Sequence, residues 1–397
     1  MMKRILIFLV VLFAYISLYS NSSIILDVHI IDQVQLTILT ESDIFYIQSE
    51  EGIETIESST LSVTVSNRIL TINDNEYGDE VYIISEHPLL LNDISYSGEF
   101  KILTTPNNLV RVINRLNLED YVSGVIAVEI GGNALMEALK AQAVATRTIT
   151  ISKMRNSRHR NDGYDLCSAT HCQVYRGLTG QTTQSIRAVQ ETANMVLLYE
   201  EFGIQNSEFG IPNSELRTLN SSYGGQLEPI EAVYSSHCGG ISENSGDLWV
   251  MQHNYLSSKV DNYCINIDLV PSWSQRFINW EKDFTINELE TMFSIQGITE
   301  ISTNIINSSM RVEEVLIKSA SRDVLITGQY ELRERFDLLS SLFIIQREGD
   351  NVKFIGNGHG HGVGMCQIGA IVRANQGHDF REILGFYFEG TVIGVLN

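Results

Sequence analysis

Glu129 is the carboxylic acid in the sequence whose setting best suits proton transfer. It closes the stretch LEDYVSGVIAVE at 118–129, in which Val125, Ile126 and Val128 are apolar. Apolar surroundings and the negative end of a helix macrodipole both disfavour a carboxylate, so both would raise the pKa of this glutamate. A general acid needs such a raised pKa near neutral pH. The alternative is an ordinary solvated glutamate at a helix end.

Side chains that could bind a metal occur together at 164–175, YDLCSATHCQVY. Cys167, His171 and Cys172 offer two thiolates and an imidazole, which suit zinc if a fourth ligand comes from elsewhere. His159 is one candidate for that ligand. The spacing is not that of a standard zinc finger, so a Cys167–Cys172 disulfide or two inert thiols are the alternatives.

Polar groups that could bind a sugar occur in a helix-like stretch of small residues at 137–148, EALKAQAVATRT. The Gln142 amide and the Arg147 guanidinium could line a sugar-binding groove and hydrogen-bond to hydroxyl groups. The alternative is a helix whose small residues pack closely and whose polar side chains are solvated.

Two further stretches are rich in hydroxyl groups or in glycine and histidine, at 232–243 and 356–370. Glycines let backbone N–H groups approach a ligand closely. The glycine spacing does not match a dinucleotide fingerprint, and the sequence contains neither a GxSxG elbow nor an HExxH zinc motif. The alternative is a tight glycine loop with solvated histidines.

An α+β fold is expected to position these groups. Residues 24–105 have the β-branched, alternating pattern of short strands, as in Leu61–Val65. Helical spacing begins after Asn117, a candidate N-cap, and Gly131 should stop that first helix. A second helix is expected over 134–149. The sequence therefore predicts a β-rich N-terminal region at 24–105 followed by a mixed helix and strand domain at 106–397, which carries the candidate catalytic residue Glu129.

Composition and charge exclude several classes of protein. The 397 residues are 44% hydrophobic and carry a net charge of −21. That much apolar material excludes a disordered chain. A strong negative charge argues against nucleic acid as a partner, because phosphate-binding surfaces need clustered Lys and Arg.

The N-terminal 20 residues have the pattern of an export signal. Lys3 and Arg4 precede an apolar run at 5–18, which is short for a membrane span, although an uncleaved anchor is the alternative. The mature protein should therefore work outside the cytoplasm, in the periplasm, in the cell wall or secreted. Five cysteines in a compartment that permits disulfides leave at least one unpaired or metal-bound. A short repeat at 201–215 indicates a loop insertion, near 201–226.

Five stretches together resemble the SpoIID/LytB family, the stage II sporulation protein D type of peptidoglycan lytic transglycosylase. They occur in the order typical of the family, and the resemblance covers roughly residues 95–397. The stretches are DYVSGVIAVE at 120–129, ALKAQAVATRT at 138–148, CQVY at 172–175, YSSHCGG at 234–240 and GHGVGMCQIGA at 360–370.

The resemblance implies roles for individual residues. Glu129 takes the place of the catalytic acid/base, and polar residues of the other motifs line a glycan groove. Some relatives bind zinc in the region of Cys167–Cys172, so the resemblance makes a structural zinc ion a candidate there and implies that no cofactor is required. The groove residues implied are Gln142, Arg147, Gln173, Tyr175, Ser235, Ser236, His361 and Gln367.

The chain departs from the family pattern at three places. Ile130-Gly131 replaces the usual Met-Pro after the glutamate, which should loosen the local backbone. Cys238 lies in a motif that usually reads Ser-Thr-Ser, and with Cys264 it is a candidate disulfide. Cys366 replaces the usual serine before the last glutamine.

The resemblance implies cleavage of the bond between N-acetylmuramic acid and N-acetylglucosamine, with 1,6-anhydro ends as product. Wall glycan strands are then the substrate, and a wall amidase or other wall-remodelling protein is a candidate partner. An alternative is a non-catalytic amidase enhancer that binds wall glycan. A third interpretation is a hydrolase that pairs Cys238 or Cys366 with His361, although no spacing identifies such a pair.

Overall fold

The computed structural model describes residues 24–199, 217–218 and 227–396. Helices and strands in several sheets make up an α+β fold, which confirms the predicted class. The predicted export signal and the repeat at 201–215 lie outside the described residues. Within the described part of the chain, no helix combines the length and the apolar character needed to cross a membrane.

The chain divides into two compact units. The first comprises residues up to 133, then 146–195 and the last two residues; the second comprises 134–145 and 196–395. The boundary predicted near residue 105 falls inside the first unit, between two strands that pair with each other. One long helix contributes its first part to the second unit and its remainder to the first.

The described residues of the first unit form two sheets, which are antiparallel apart from one edge pair, and several helical segments. The elements, including the long helix, are β1 Ile25–Gln33, β2 Gln35–Thr40, β3 Ile44–Ser49, β4 Gly52–Glu57, β5 Thr60–Ser66, β6 Ile69–Ile72, β7 Asn75–Tyr77, β8 Glu80–Ile84, β9 Leu89–Leu91, β10 Ile94–Tyr96, β11 Glu99–Thr104, β12 Val110–Asn117, α1 Leu118–Ile126, α2 Met136–Arg155, β13 Leu166–Cys167 and α3 Thr183–Glu191.

The strands of the first unit form a seven-stranded and a six-stranded sheet, in the orders β13-β1-β12-β11-β8-β3-β4 and β10-β9-β2-β5-β6-β7. Only the edge pair β13–β1 of the larger sheet is parallel. In β5, Leu61, Val63 and Val65 alternate toward the core, as their spacing predicts. Asn67-Arg68 joins β5 to β6 with positive φ at both residues, the geometry of a tight type I′ hairpin.

Helix α1 begins where the sequence predicts. The Asn117 side chain accepts a hydrogen bond from the Asp120 N–H at 2.9 Å, which satisfies an otherwise unpaired donor of the first turn. The helix then changes at Ala127–Gly131 into a π-helix. Gly131 ends it with φ +89°, a left-handed conformation that glycine adopts without strain. The second predicted helix runs further than expected, to Arg155.

The described residues of the second unit form four sheets of two to four strands and several short helices. Its elements are β14 Met195–Tyr199, β15 Arg217–Thr218, β16 Glu228–Pro229, β17 Tyr234–Ser235, α4 Ser245–Leu248, β18 Trp280–Thr285, α5 Ile286–Phe293, β19 Ile298–Ile306, β20 Val312–Ser319, β21 Val324–Thr327, α6 Gln329–Phe336, β22 Phe343–Glu348, β23 Asn351–Gly356, β24 Met365–Cys366, α7 Gln367–Asn375, α8 Phe380–Tyr387 and β25 Val392–Val395.

The shortest sheet of the second unit joins two motifs that are far apart in sequence. Strands β17 and β24 pair in parallel, with Tyr234 opposite Met365 and Ser235 opposite Cys366. The segment between them, from β18 to β23, forms two three-stranded sheets, β18-β23-β22 and β19-β20-β21, with a hydrophobic core of their own. Thr285 caps helix α5 of this segment in a capping box with Glu288.

Candidate functional site

Glu129 lies in the π-helix and is half-buried. Its Oε1 accepts a hydrogen bond from the backbone N–H of Val174 at 3.0 Å. A π-helical turn is rare and occurs often at functional sites, because it re-aims side chains at the end of a helix. The carboxyl group is therefore held in one orientation by a donor that lies 45 residues away in sequence.

Sequence reasoning missed the Val174 donor because it belongs to the backbone. Its presence also changes the expected electrostatics of Glu129. The sequence suggests an apolar setting that disfavours a carboxylate, whereas a backbone N–H stabilises the carboxylate that remains after proton donation. The two influences act in opposite directions on the same group.

Two buried side chains fix the segment that carries Val174. Gln173 donates from Nε2 to the Thr150 hydroxyl at 2.8 Å, and the Tyr175 hydroxyl donates to Asn114 Oδ1 at 2.8 Å. Burial raises the pKa of Tyr175 well above its ordinary value, so its hydroxyl stays a neutral donor. Gln173 and Tyr175 are only 3% and 1% exposed, so they position the segment from inside and do not face a groove as expected.

Arg147 also lies inside the first unit. Its guanidinium binds the Glu119 carboxylate with two hydrogen bonds, of 2.8 and 2.5 Å, and a third goes to the Met195 carbonyl at 3.0 Å. This fork is the strong geometry for an Arg–carboxylate pair. Because Arg147 is 0% exposed, the structure corrects the expectation that it lines a groove: it ties α2 to the first turn of α1.

The candidate metal ligands Cys167, His171 and Cys172 come together with His159. One donor atom from each of the four residues lies within 4.8 Å of the others. The Cys172 sulfur is 3.6 Å from His159 Nε2 and 3.5 Å from His171 Nδ1, and these two nitrogens are 3.3 Å apart. Cys167 Sγ is 3.8 Å from the same nitrogen of His171.

These distances fit tetrahedral zinc. Zn–S bonds of about 2.3 Å and Zn–N bonds of about 2.0–2.1 Å place neighbouring ligand atoms about 3.3–3.8 Å apart. Asp162 Oδ2 lies 3.7 Å from Nδ1 of His159, the ring nitrogen that does not face the cluster. Carboxylates in this position are common beside imidazoles that bind zinc. Burial raises the pKa of the Cys172 thiol to about 11, so its thiolate needs a nearby cation. The donor set therefore suits a structural zinc ion.

The metal-ligand cluster is joined directly to the segment that holds Glu129. Cys172 precedes Gln173 and Val174 in the chain, so fixing the sulfur also fixes the N–H donor. Lys153, in the last turn of α2, donates to the carbonyls of His171 at 2.9 Å and Cys172 at 2.8 Å. Nothing in the sequence pattern identified this lysine, because its partners are backbone carbonyls.

The remaining predicted groove residues lie in the second unit. Gln367 donates to Gln142 Oε1 at 3.3 Å, and both side chains are buried, at 5% and 0% exposed. Ser235 is buried, whereas Ser236 is half-buried. Of these residues, Ser236 and the half-buried His361 are therefore the ones with exposed surface to offer a ligand.

His361 is held as a neutral imidazole by two backbone groups. Its Nε2–H donates to the Tyr234 carbonyl at 3.1 Å, and its Nδ1 accepts from the Val363 N–H at 3.1 Å. The sulfurs of Cys238 and Cys366 belong to residues that are 0% exposed. A buried thiol beside an imidazole whose nitrogens are already engaged does not make a nucleophile and base, so the structure does not favour a Cys/His hydrolase.

The candidate disulfide between Cys238 and Cys264 is not formed. Their sulfurs lie 3.2 Å apart, whereas a disulfide bond measures about 2.05 Å. The two thiols instead form part of a larger buried cluster. The expectation was incomplete because it considered the two residues as a pair, although Cys366 is also close: its sulfur accepts from the Cys238 N–H at 3.2 Å.

Comparison with known proteins finds sequence similarity around Glu129. The SpoIID family model, described as stage II sporulation protein, matches residues 107–199, which include Glu129 and the first metal-ligand cluster. An uncharacterized protein of Brachyspira hyodysenteriae is 27% identical over 354 residues, which cover 88% of this chain and 86% of the relative.

Two named relatives come from Bacillus subtilis. Stage II sporulation protein D is 26% identical over 71% of this chain and 75% of its own length. The amidase enhancer is 25% identical over 85% of this chain and 50% of its own length. Residues 107–199 are therefore similar to the SpoIID family, and most of the chain is similar to stage II sporulation protein D and to the amidase enhancer.

Proposed function

We propose that the protein is an exported lytic transglycosylase that cleaves the bond between N-acetylmuramic acid and N-acetylglucosamine in wall glycan. Similarity to SpoIID proteins and to an amidase enhancer, which have cell-wall-related roles, supports this substrate class. The oriented carboxyl group of Glu129 supports the proposed reaction class. The observation that carries the proposal is the hydrogen bond from the Val174 N–H to that carboxyl group.

One carboxyl group is sufficient for this reaction. Glycosidases that consume water use two carboxylates, the second as nucleophile or as base. Here protonated Glu129 gives its proton to the oxygen of the leaving N-acetylglucosamine as the glycosidic bond breaks. The C6 hydroxyl of the muramic acid then attacks its own anomeric carbon and returns a proton to Glu129. No water is consumed, and the product ends in 1,6-anhydro-N-acetylmuramic acid.

The surrounding residues orient Glu129 through both steps. The Val174 N–H stabilises the carboxylate present between them, because a preorganised donor acts where charge develops. Gln173 and Tyr175 hold that donor in place from the interior. They are positioning residues, so replacing them should lower kcat more than it raises KM.

Zinc is proposed as a structural component of this site. His159, Cys167, His171 and Cys172 would hold it, and four protein ligands make a closed site. When bound, the ion would supply positive charge that keeps the two cysteines as thiolates and fixes the loop. The chemistry of bond cleavage is assigned to Glu129 alone.

The experiment is mass spectrometry of purified peptidoglycan glycan after incubation with the protein. Both peptide-bearing and denuded strands should be offered. The wild-type chain should release anhydro ends, and Glu129→Gln should reduce their release by about 10²–10⁴-fold. Glu57→Gln changes an exposed glutamate of the same unit and is the matched control, with activity unchanged. Wild-type release by Glu129→Gln would exclude the assigned role.

A second candidate function is a non-catalytic enhancer of a wall amidase. It is motivated by the relative of that name, which aligns with 85% of this chain. In that case the purified chain would bind glycan strands and stimulate an amidase, and no anhydro ends would appear. Such a module would tolerate Glu129→Gln in both binding and stimulation.

Export is proposed from the N-terminal sequence and from the family role. The test is cell fractionation followed by N-terminal sequencing of the recovered protein. We expect recovery outside the cytoplasm. Recovery of the chain from the cytoplasm alone would contradict it.

A further inference from the structure

A second cluster of metal-binding side chains lies in the second unit, away in sequence from the first. Cys238, Asp261, Cys264 and Cys366 each place one ligand atom within 4.8 Å of the others. All four residues are buried, at 0–1% exposed. They come from three segments: the loop after β17, the turn at 261–264 and the N-cap of α7. The proposed reaction uses none of them.

Of two measured distances between donor atoms, one is shorter and one is longer than the spacing expected around tetrahedral zinc. Cys238 Sγ lies 3.2 Å from Cys264 Sγ and 4.0 Å from Asp261 Oδ2. Around zinc, two sulfurs lie about 3.8 Å apart and a sulfur and an oxygen about 3.5 Å apart, from bonds of about 2.3 and 2.0–2.2 Å. Shifts of about half an ångström would bring these two pairs to the spacing expected around zinc.

Hydrogen bonds to the ligands resemble the outer shell of a metal site. The Cys366 sulfur accepts backbone N–H groups from Cys238 at 3.2 Å and Gly369 at 3.3 Å, which favours negative charge on sulfur. Asp261 Oδ1 accepts from Arg373 at 3.0 Å, and Oδ2 accepts from the Tyr387 hydroxyl at 2.5 Å. Such bonds fix the orientation of a ligating carboxylate.

Gly369 shows how closely the cluster is enclosed. A Cβ at this position would lie 2.2 Å from Asp261 Oδ2 and 2.0 Å from the Tyr387 hydroxyl. Only glycine therefore lets α7 approach the carboxylate and still donate its N–H to Cys366. Helix α7 can therefore pack directly against the proposed ligands because Gly369 has no side chain.

Buried arginines surround the cluster with positive charge. Three thiolates and one carboxylate around a divalent ion carry a net charge of −2. Arg373 binds Asp261 directly, and Arg311, 1% exposed, donates to the Cys238 carbonyl at 2.8 Å. Arg311 also lies 3.9 Å from the buried carboxylate of Glu243, so part of its charge is balanced there. Arg373 is therefore the arginine that pairs directly with a proposed ligand.

We propose that Cys238, Asp261, Cys264 and Cys366 bind a second, structural zinc ion. Thiolate ligands select a soft or borderline metal, and a closed set of four buried ligands is the arrangement of structural zinc. Binding replaces the thiol protons, which pass to solvent. The ion joins the two motif stretches that β17 and β24 bring together, so it fixes the loops that carry Ser236 and His361.

The first measurement is the metal content of the purified full chain by inductively coupled plasma mass spectrometry. We expect two zinc ions per chain in the wild type. Cys167→Ser/Cys172→Ser, which removes the first cluster, should retain one zinc. Loss of all zinc from that variant would overturn the proposal, as would a stoichiometric metal other than zinc. This readout does not depend on glycan cleavage, so it stands or falls separately from the proposed reaction.

The second measurement needs no variant of the second cluster, which guards against misfolding. Unreduced Cys167→Ser/Cys172→Ser protein is denatured with a chelator, alkylated and mapped by mass spectrometry. Zinc binding predicts alkylation of Cys238, Cys264 and Cys366 as three free thiols. A Cys238–Cys264 disulfide, found as one linked peptide, would contradict the proposal.

The third measurement uses cobalt as a spectroscopic probe in the same background. Co²⁺ exchanged for zinc should give thiolate charge-transfer bands and the intense visible bands of a tetrahedral ion. Tyr387→Phe removes only the hydroxyl that orients Asp261, so it should keep the bands and weaken the affinity for Co²⁺ by about 10–100-fold. Octahedral bands without thiolate charge transfer would count against the site.

Discussion

The two cysteine clusters differ in how the chain builds them. The first comes from a single segment, His159 to Cys172, and its candidate ligands range from buried to exposed. The second joins three segments spread from Cys238 to Cys366, and every ligand is buried. A local cluster can fix one loop, whereas a cluster of distant segments can hold a unit together. The predictions below test that contrast.

The largest effect is expected at the second cluster. Cys366→Ser should lower the free energy of unfolding by more than about 4 kcal/mol, the range reached when a metal site is lost. It removes a proposed ligand and weakens the N-cap of α7, to which the sulfur contributes. Thermal unfolding with and without chelator measures it. A loss below about 1 kcal/mol would mean that the second cluster does not stabilise its unit.

The next largest loss of stability is expected at the ion pair between Arg147 and Glu119 in the first unit. Glu119→Gln leaves the Arg147 guanidinium buried without its carboxylate, which costs about 3–5 kcal/mol when both partners are fully buried. Because Glu119 is 32% exposed, we expect about 2 kcal/mol. Urea unfolding is the measurement. Glu57→Gln, on the exposed strand β4, is the control and should change little.

The first cluster should affect activity more than stability. Cys172→Ser should lower kcat about tenfold, equivalent to about 1.4 kcal/mol, because it loosens the segment that carries the Val174 donor. The melting temperature should fall only slightly, because a local cluster fixes a single loop. Release of anhydro ends and thermal unfolding are measured on the same sample. A large loss of stability with unchanged kcat would reverse the contrast between the clusters.

The smallest effect is expected at the start of α1. Asn117→Ala removes the side-chain acceptor for the Asp120 N–H and should cost about 1 kcal/mol. Asn117→Ser keeps a capping oxygen and should restore most of that loss. Chemical unfolding of the two variants in parallel is the measurement. Equal losses would show that the cap is not what stabilises this end.

Local patterns in the sequence predicted local structure well. The alternation of Leu61, Val63 and Val65 and the Asn117 cap are both confirmed, because each depends on neighbours within a few residues. The proximity of His159 to Cys167–Cys172 was also within reach of the sequence, since the ligands span one short segment.

Contacts between distant segments were the part that sequence could not supply. The polarity of Arg147 and Gln173 indicated hydrogen bonding, but not whether the partner would be a ligand or the protein itself. Their partners, Glu119 and Thr150, are 28 and 23 residues away. The role of the Val174 N–H could not be predicted from the residue type, because every residue except proline has a backbone N–H.

The pairing of Trp280 with Gly356 closes the segment between them at its base. Strands β18 and β23 bring the two ends of a 77-residue excursion side by side, and the Trp280 indole also donates to the Gly358 carbonyl at 3.1 Å. The excursion has its own apolar interior. The segment is thus closed at its base, so its outer strands can change in length while β17 and β24 keep their register, provided that Arg311 keeps its hydrogen bond to the Cys238 carbonyl.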